Sequence, residues 1–207
     1  MTRFIVAGTD TGIGKTVFAA GLTGLLRATY WKPVQSGLEE ETDSQIVARL
    51  SGRPALPEAY RLRLPASPHI SANAEGVQID PDRLALPDVS PLVVEGAGGL
   101  MVPLTNDLLY LDMIARWRVP VILCARTALG TINHSLLSLA ALRQAGVPVH
   151  GIAFIGEIET RVEETITRMG GVRRLGRLPI LPDVTSAALT AAFAANFPLS
   201  VFTEKPA

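Results

Sequence analysis

One stretch constrains this 207-residue chain more than any other. Gly8-Thr9-Asp10-Thr11-Gly12-Ile13-Gly14-Lys15-Thr16 follows the apolar run Phe4-Ile5-Val6-Ala7 and precedes a helical pattern from Lys15 to Arg27. A strand, a glycine-rich turn and a helix in that order make a phosphate cradle. Glycine lets the backbone turn its N–H groups inward, and the helix start adds the positive end of its dipole. In such a loop Lys15 reaches the β- and γ-phosphates, and the Thr16 hydroxyl binds the Mg²⁺ carried by a nucleoside triphosphate. The usual spacing, G-x-x-x-x-G-K-[ST], would put its first glycine at Thr9. The loop is therefore a variant that starts one residue earlier, at Gly8. Gly12, Ile13, Gly14, Lys15, Thr16 and Val17 are the expected nucleotide contacts.

The remainder reads as strands alternating with helices. Strands are expected at 28–32, 92–95, 119–125, 149–155 and 174–178, and helices at 42–50, 109–118, 133–145, 158–169 and 184–195. Apolar strands in that alternation predict a single α/β domain over residues 1–207. It is of the P-loop NTPase type, a mainly parallel sheet with helices on both faces. Lys32-Pro33-Val34-Gln35-Ser36-Gly37 reads as a loop at the C-terminal end of the second strand, the edge where open α/β sheets carry ligands. The proline-rich stretch 53–91 reads as loops around two short helices, opened by Ser67-Pro68-His69 and by Asp80-Pro81.

Composition narrows the partners. Formal net charge is zero, so bulk electrostatics draw the chain to neither nucleic acid nor an anionic membrane. Cys124, alone in the chain, cannot form an internal disulfide and is expected to pack as a small hydrophobe. No apolar run approaches the roughly 18 residues that a membrane span needs, and the chain enters its first strand without a basic leader. The expectation is a soluble, unprocessed, cytoplasmic protein.

A triphosphate–Mg²⁺ complex needs acidic groups besides Thr16, and two are well placed: Glu95, at the end of an apolar strand before Gly96-Ala97-Gly98-Gly99, and Asp43, at a loop–helix junction. Glu95 is otherwise a solvated strand-end charge, and Asp43 is otherwise an ordinary helix N-cap. Lys32 is either a surface lysine or a second ammonium at the phosphates, where γ-oxygen charge spreads in phosphoryl transfer. Gly130, Thr131, Ile132 and Asn133 open a helix whose free N–H groups suit a carboxylate, or are simply capped. The three histidines lack metal-ligand spacing, and no nucleophile-elbow pattern is present.

Taken together, these segments resemble the dethiobiotin synthetases. The likeness is carried by Gly8-Thr9-Asp10-Thr11, Gly14-Lys15-Thr16, Lys32-Pro33-Val34-x-Ser36-Gly37, Ser67-Pro68-His69, Val94-Glu95-Gly96-Ala97-Gly98-Gly99, Pro103-Leu104 and Leu129-Gly130-x-Ile132-Asn133-His134. It spans nearly the whole chain. The resemblance implies the penultimate step of biotin biosynthesis, in which 7,8-diaminononanoate, CO₂ and ATP give dethiobiotin, ADP and phosphate. It further implies Mg²⁺ at Thr16, Asp43 and Glu95, and Lys15 and Lys32 beside the phosphates. Thr11, Lys32 and Ser36 are implied at the carbamate or diamine, and the helix start Gly130–Asn133 at the substrate carboxylate, reached from the partner of a homodimer.

The chain departs from the family where many members carry an Asn-Asp or similar polar pair for adenine, after the strand that here ends Ala153-Phe154-Ile155. It has Gly156-Glu157. Backbone groups at Gly156, Pro179, Ile180 and Leu181 are then the expected base contacts, with Gly96, Ala97 and Gly98 also at the nucleotide, and a weaker preference for ATP over other triphosphates is expected. Two other readings use the same loop. One is another amide- or urea-forming P-loop ligase, for which no glutaminase domain is found. The other is a partition- or division-site-type ATPase switch, which usually carries a signature lysine early in the loop where this chain has Thr9 and Asp10.

Overall fold

The computed structural model describes residues 2–203. Its first strand, β1 (Arg3–Gly8), is apolar on both faces. Phe4 and Val6 enter one core layer, while Ile5 and Ala7 enter the layer behind the sheet. That is the pattern of a strand covered on both sides by helices.

After β1 come α1 (Lys15–Leu26), β2 (Thr29–Trp31), β3 (Val34–Ser36), α2 (Asp43–Ser51), β4 (Ala55–Leu56), β5 (Tyr60–Leu62) and α3 (Pro68–Ala74). A 3-10 turn at Pro81–Leu84 leads to β6 (Leu92–Gly99), α4 (Tyr110–Trp117), β7 (Val121–Arg126), α5 (Thr131–Gln144) and β8 (Val149–Ile155). The chain continues with α6 (Thr160–Gly170), β9 (Arg174–Leu178), α7 (Ser186–Asn196) and α8 (Ser200–Thr203). Seven strands form one sheet in the order β4-β2-β6-β1-β7-β8-β9, and every neighbouring pair is parallel. Connections from β1 run first toward the β6 side and later toward the β9 side. The crevice at the C-terminal end of β1 is therefore a topological switch point, where such sheets bind ligands.

One face is filled by Phe18 and Leu22 of α1, Val47 and Leu50 of α2, and Phe193 of α7. The other is filled by Tyr110, Ile114 and Trp117 of α4 with Leu142 of α5, and further along by Leu139 of α5 and Ile166 of α6. Cys124 lies buried as a free thiol in the first layer, as its apolar neighbours predict. None of the described helices is long and apolar enough to cross a membrane.

The main βα alternation follows the sequence reading, and β8 and β9 match it end to end. Several places differ, among them β6, which runs on through the glycines to Gly99 instead of ending at Glu95. The segment expected as a loop at 32–37 contains β3, which pairs with β5 in a separate two-stranded parallel sheet. The stretch 53–91 holds β4 and β5 as well as the two helical turns, and α8 was not expected. Strands of two or three residues show too little alternation to be read from sequence. The second strand is also shorter than expected, stopping at Trp31, and α5 starts at Thr131 rather than Asn133.

Candidate active site

The loop between β1 and α1 turns as a phosphate cradle must. Gly12 (φ 68°) and Gly14 (φ 91°) take left-handed conformations, and α1 begins immediately after, at Lys15. Lys15 is buried and folds back over the loop, its Nζ donating to the Asp10 carbonyl at 2.7 Å. It lies directly on Gly8, where a Cβ would come within 2.6 Å of Lys15 Cδ. That close approach accounts for the early glycine of the variant spacing. Ile13 is buried under the loop, and Val17 packs on the core behind it. Burial draws the Lys15 ammonium below the ordinary lysine value, partly opposed by Glu95.

Sheet register builds the centre of the site. Trp31 pairs with Val94 across β2 and β6, and Val6 pairs with Glu95 across β1 and β6. Lys32 therefore lands beside Glu95 and next to the loop. The Thr16 hydroxyl donates toward Glu95 Oε1 (2.9 Å) and Asp43 Oδ1 (3.1 Å). Lys32 Nζ stands 2.6 Å from Asp43 Oδ2 and 3.3 Å from Glu95 Oε1, and donates to the Gly96 carbonyl at 3.1 Å. Lys32 and Glu95 are 5% and 1% exposed, which removes the surface-lysine and solvated-strand-end alternatives. Asp43 is not the N-cap of α2 either. Thr42 is, in a capping box with Gln45, and Asp43 is the first helical residue.

Charge is balanced tightly here. Burial alone would pull the Lys32 ammonium down, but Glu95 and Asp43 outweigh it and hold it above the ordinary lysine value. Burial alone would raise the Asp43 carboxyl, yet Lys32 and the Thr16 hydroxyl hold it below the usual carboxylate range. One hydroxyl and two carboxylates converge, an all-oxygen donor set of the kind a hard divalent cation takes. The ammonium lodged between the carboxylates already supplies the pair with one positive charge. Among the described residues no three His, Cys, Asp or Glu side chains are grouped to hold a metal by themselves. An ion here would depend on Thr16 and on the phosphate oxygens arriving with it.

Beyond this centre opens a cleft of about 480 Å³, whose lining includes Thr11, Lys32, Ser36, Asp43, Ala97 and Gly98. Three of the side chains expected at the diamine or carbamate, Thr11, Lys32 and Ser36, are thus brought together. Gly98 (φ 63°) lets Thr11 approach, since a Cβ there would sit 3.0 Å from Thr11 Oγ1. Ser36 Oγ is buried without a hydrogen-bond partner among the described residues.

Comparison with known proteins decides the family. A family model described as an AAA domain matches residues 2–188. The chain is 63% identical over 209 residues to the ATP-dependent dethiobiotin synthetase of Agrobacterium fabrum, covering 99% of both chains. It is 61% identical over 212 residues to that of Rhodopseudomonas palustris strain HaA2, covering both completely. The chain belongs to the dethiobiotin synthetase family. Members of this family are ATP-dependent ligases of biotin biosynthesis, and the chain is an enzyme of that class, as the sequence resemblance implied. Among solved structures it is similar to a ParA family ATPase from Chlorobium tepidum (TM-score 0.54, 12% identity, 94% of this chain and 91% of that one). It is also similar to the MinC:MinD complex of Aquifex aeolicus (TM-score 0.53, 9% identity, 93% and 86%). At those identities the likeness to these structures is one of fold alone.

Within this dethiobiotin synthetase chain, two groups of expected residues stand apart from the cleft. Gly130, Ile132 and Asn133 lie with buried Thr131 at the start of α5, and none of the four lines the cleft of their own chain. Gly156, Pro179, Ile180 and Leu181 gather past the ends of β8 and β9. Ile155, just before Gly156, comes within 3.1 Å of where a Gly14 Cβ would be, so this turn borders the phosphate loop. The Gly156 carbonyl accepts from Arg177 Nη1 at 2.8 Å, and Arg177 and Arg174 both pair with the buried Glu163. Two contributors escaped the sequence reading. Tyr30 donates its hydroxyl to Glu95 Oε2 at 2.8 Å, its phenol held protonated by burial and by that carboxylate. The i, i+2 spacing of Tyr30 and Lys32 along one strand face was its signal. Gln35 bonds the first residue of α2, and no sequence pattern marks it.

Proposed function

We propose that the chain, acting as one domain in a cytoplasmic, Mg²⁺-dependent homodimer, converts 7,8-diaminononanoate, CO₂ and ATP into dethiobiotin, ADP and phosphate. One substrate amine attacks CO₂ and loses a proton, giving a carbamate. A carbamate oxygen attacks the γ-phosphorus as ADP leaves, forming a carbamic–phosphoric anhydride. The second amine then attacks the carbamate carbon, loses its proton and expels phosphate, which closes the cyclic urea. No protein nucleophile is needed.

The difficulty of this sequence lies in bringing an anionic carbamate against an anionic phosphate. Oriented cations in a water-poor site answer it. Lys15 would lie along the β- and γ-phosphates, and Lys32 between the γ-phosphate and the carbamate. Thr16, Asp43 and Glu95 would hold Mg²⁺, which when bound neutralises phosphate charge. Thr11 and Ser36 would hydrogen-bond the carbamate or the diamine from the cleft wall. The N–H groups at Gly130–Asn133 of a second copy would take the substrate carboxylate.

The observation that carries the reading is the meeting of Thr16, Lys32, Asp43 and Glu95 beside a cleft that Thr11 and Ser36 also line. The test is phosphate release from Mg·ATP with diaminononanoate and bicarbonate supplied singly and together. Release that needs both, with matching dethiobiotin by mass spectrometry, is expected. Hydrolysis indifferent to the diamine would sink the proposal.

A further inference from the structure

We propose that Gln35 is a positioning residue that fixes Asp43 and ties it to the strand carrying Ser36. The inference rests on the reading of Asp43 as a metal ligand. Gln35 is the middle residue of β3 and is 7% exposed. Its Oε1 accepts the Asp43 backbone N–H at 3.2 Å. Its Nε2 donates to the carbonyls of Ser36 (3.2 Å) and Gly37 (3.3 Å). All of these partners belong to the cleft segment or to the start of α2.

Initiation of α2 does not need this contact. The Thr42 side chain accepts from Gln45 N, and the Gln45 side chain accepts from Thr42 N at 2.9 Å, so the capping box already satisfies those donors. Among the donors it leaves is the N–H of Asp43, a first-turn donor that no intrahelical carbonyl can take. Gln35 takes it. Asp43 is also the residue whose carboxylate is divided between Thr16 and Lys32. Among the described residues β3 pairs only with β5, outside the main sheet, so the Gln35 amide links the small sheet directly to the backbone of the residue that carries the carboxylate. Without it, α2 would still form, but Asp43 would lose the backbone restraint that aims it at Thr16.

The test is Mn²⁺ affinity, read by electron paramagnetic resonance on the full chain with a non-hydrolysable ATP analogue. Gln35→Met fills similar volume and has no acceptor for the Asp43 N–H; Gln35→Ala is the second variant. Both are expected to bind Mn²⁺ about tenfold more weakly, the effect of about 1.4 kcal/mol. Helical circular dichroism and affinity for the analogue in EDTA should stay within about twofold of the parent. Asp43→Asn should weaken Mn²⁺ at least as much, and Gln35→Met added to it should weaken it no further, since the two residues act through one contact. Unchanged Mn²⁺ affinity in both Gln35 variants, with Asp43→Asn weakened, overturns the role of Gln35 and leaves the site reading standing. Unchanged affinity in Asp43→Asn overturns both. Full additivity in the double variant also overturns the proposal, since Gln35 would then act elsewhere.

Discussion

Lys32 is asked to do two things, and they separate by experiment. Its ammonium pairs with both Asp43 and Glu95, the latter almost wholly buried. Removing one partner of a buried ion pair costs about 3–5 kcal/mol, because the charge left behind has no water. Lys32→Ala is therefore expected to lower the melting temperature of the free protein, and Mg²⁺ with an ATP analogue should restore much of the loss by supplying the missing charge. Turnover is not restored; it should fall by about 10² to 10³, the worth of one preorganised contact to developing charge. Calorimetry with and without ligand, beside steady-state rates, checks both parts. The same pairing sets a pH signature. Lys32 is raised, so its contribution to stability is complete below the ordinary lysine value of about 10.4 and is lost as pH rises through its folded value. Asp43 is lowered, so its contribution is complete above the ordinary carboxylate value of about 3.9 and is lost as pH falls through its folded value. Urea unfolding across pH should show a plateau between these limits, with both edges flattened in Lys32→Met. Edges that persist unchanged in that variant would place the titrating groups elsewhere.

Elements, rather than single side chains, decide how the base is read. The turn after β8 offers Gly156 and exposed Glu157, and its carbonyl is already shared with Arg177, which the buried Glu163 of α6 holds in place. Main-chain groups there and at 179–181 can contact a base without a dedicated side-chain reader. Each neutral hydrogen bond forgone is worth about 0.5–1.5 kcal/mol. kcat/KM with CTP and GTP is accordingly expected within about a hundredfold of ATP, the sum of one or two such bonds; discrimination well beyond that would show a side-chain reader elsewhere in the site. Legibility follows the same scale. The phosphate loop, Glu95 before its glycines and the βα alternation were readable because each is written in contiguous residues. Lys32 stayed open between two roles because only the β2–β6 register, Trp31 against Val94, sets it beside Glu95. Tyr30–Glu95 spans 65 residues, and Gln35–Asp43 crosses from a three-residue strand to a helix start. The first shows only as the i, i+2 spacing of Tyr30 and Lys32, the second leaves no periodic trace, and β3, β4 and β5 are too short to leave one.

At the scale of the whole molecule, the distance between two parts of the proposed site becomes the argument. Lys32, Ser36 and Thr11 share one cleft, whereas Gly130–Asn133 stand at the start of α5 without lining it, flanked by the fully exposed Leu129. Exposed Met101 and Leu137 border a neighbouring hollow of about 350 Å³ between the phosphate loop and α5. If a second copy covers that face, each active site draws its ammonium from one chain and its carboxylate pocket from the other. Complementation tests this directly. Lys32→Ala removes the ammonium; Gly130→Asp sets a carboxylate where the substrate's own would bind, at a φ of 92° that Asp tolerates better than most residues. Each variant alone should be nearly inactive. Co-expressed at equal levels, half the dimers are mixed, and each mixed dimer holds one site with Lys32 from the Gly130→Asp chain and an intact helix start from the Lys32→Ala chain. Activity should return to about a quarter of the parent, as a two-fold assembly of shared sites requires. Sites complete within a single chain would recover nothing, since every chain in the mixture would still carry one lesion.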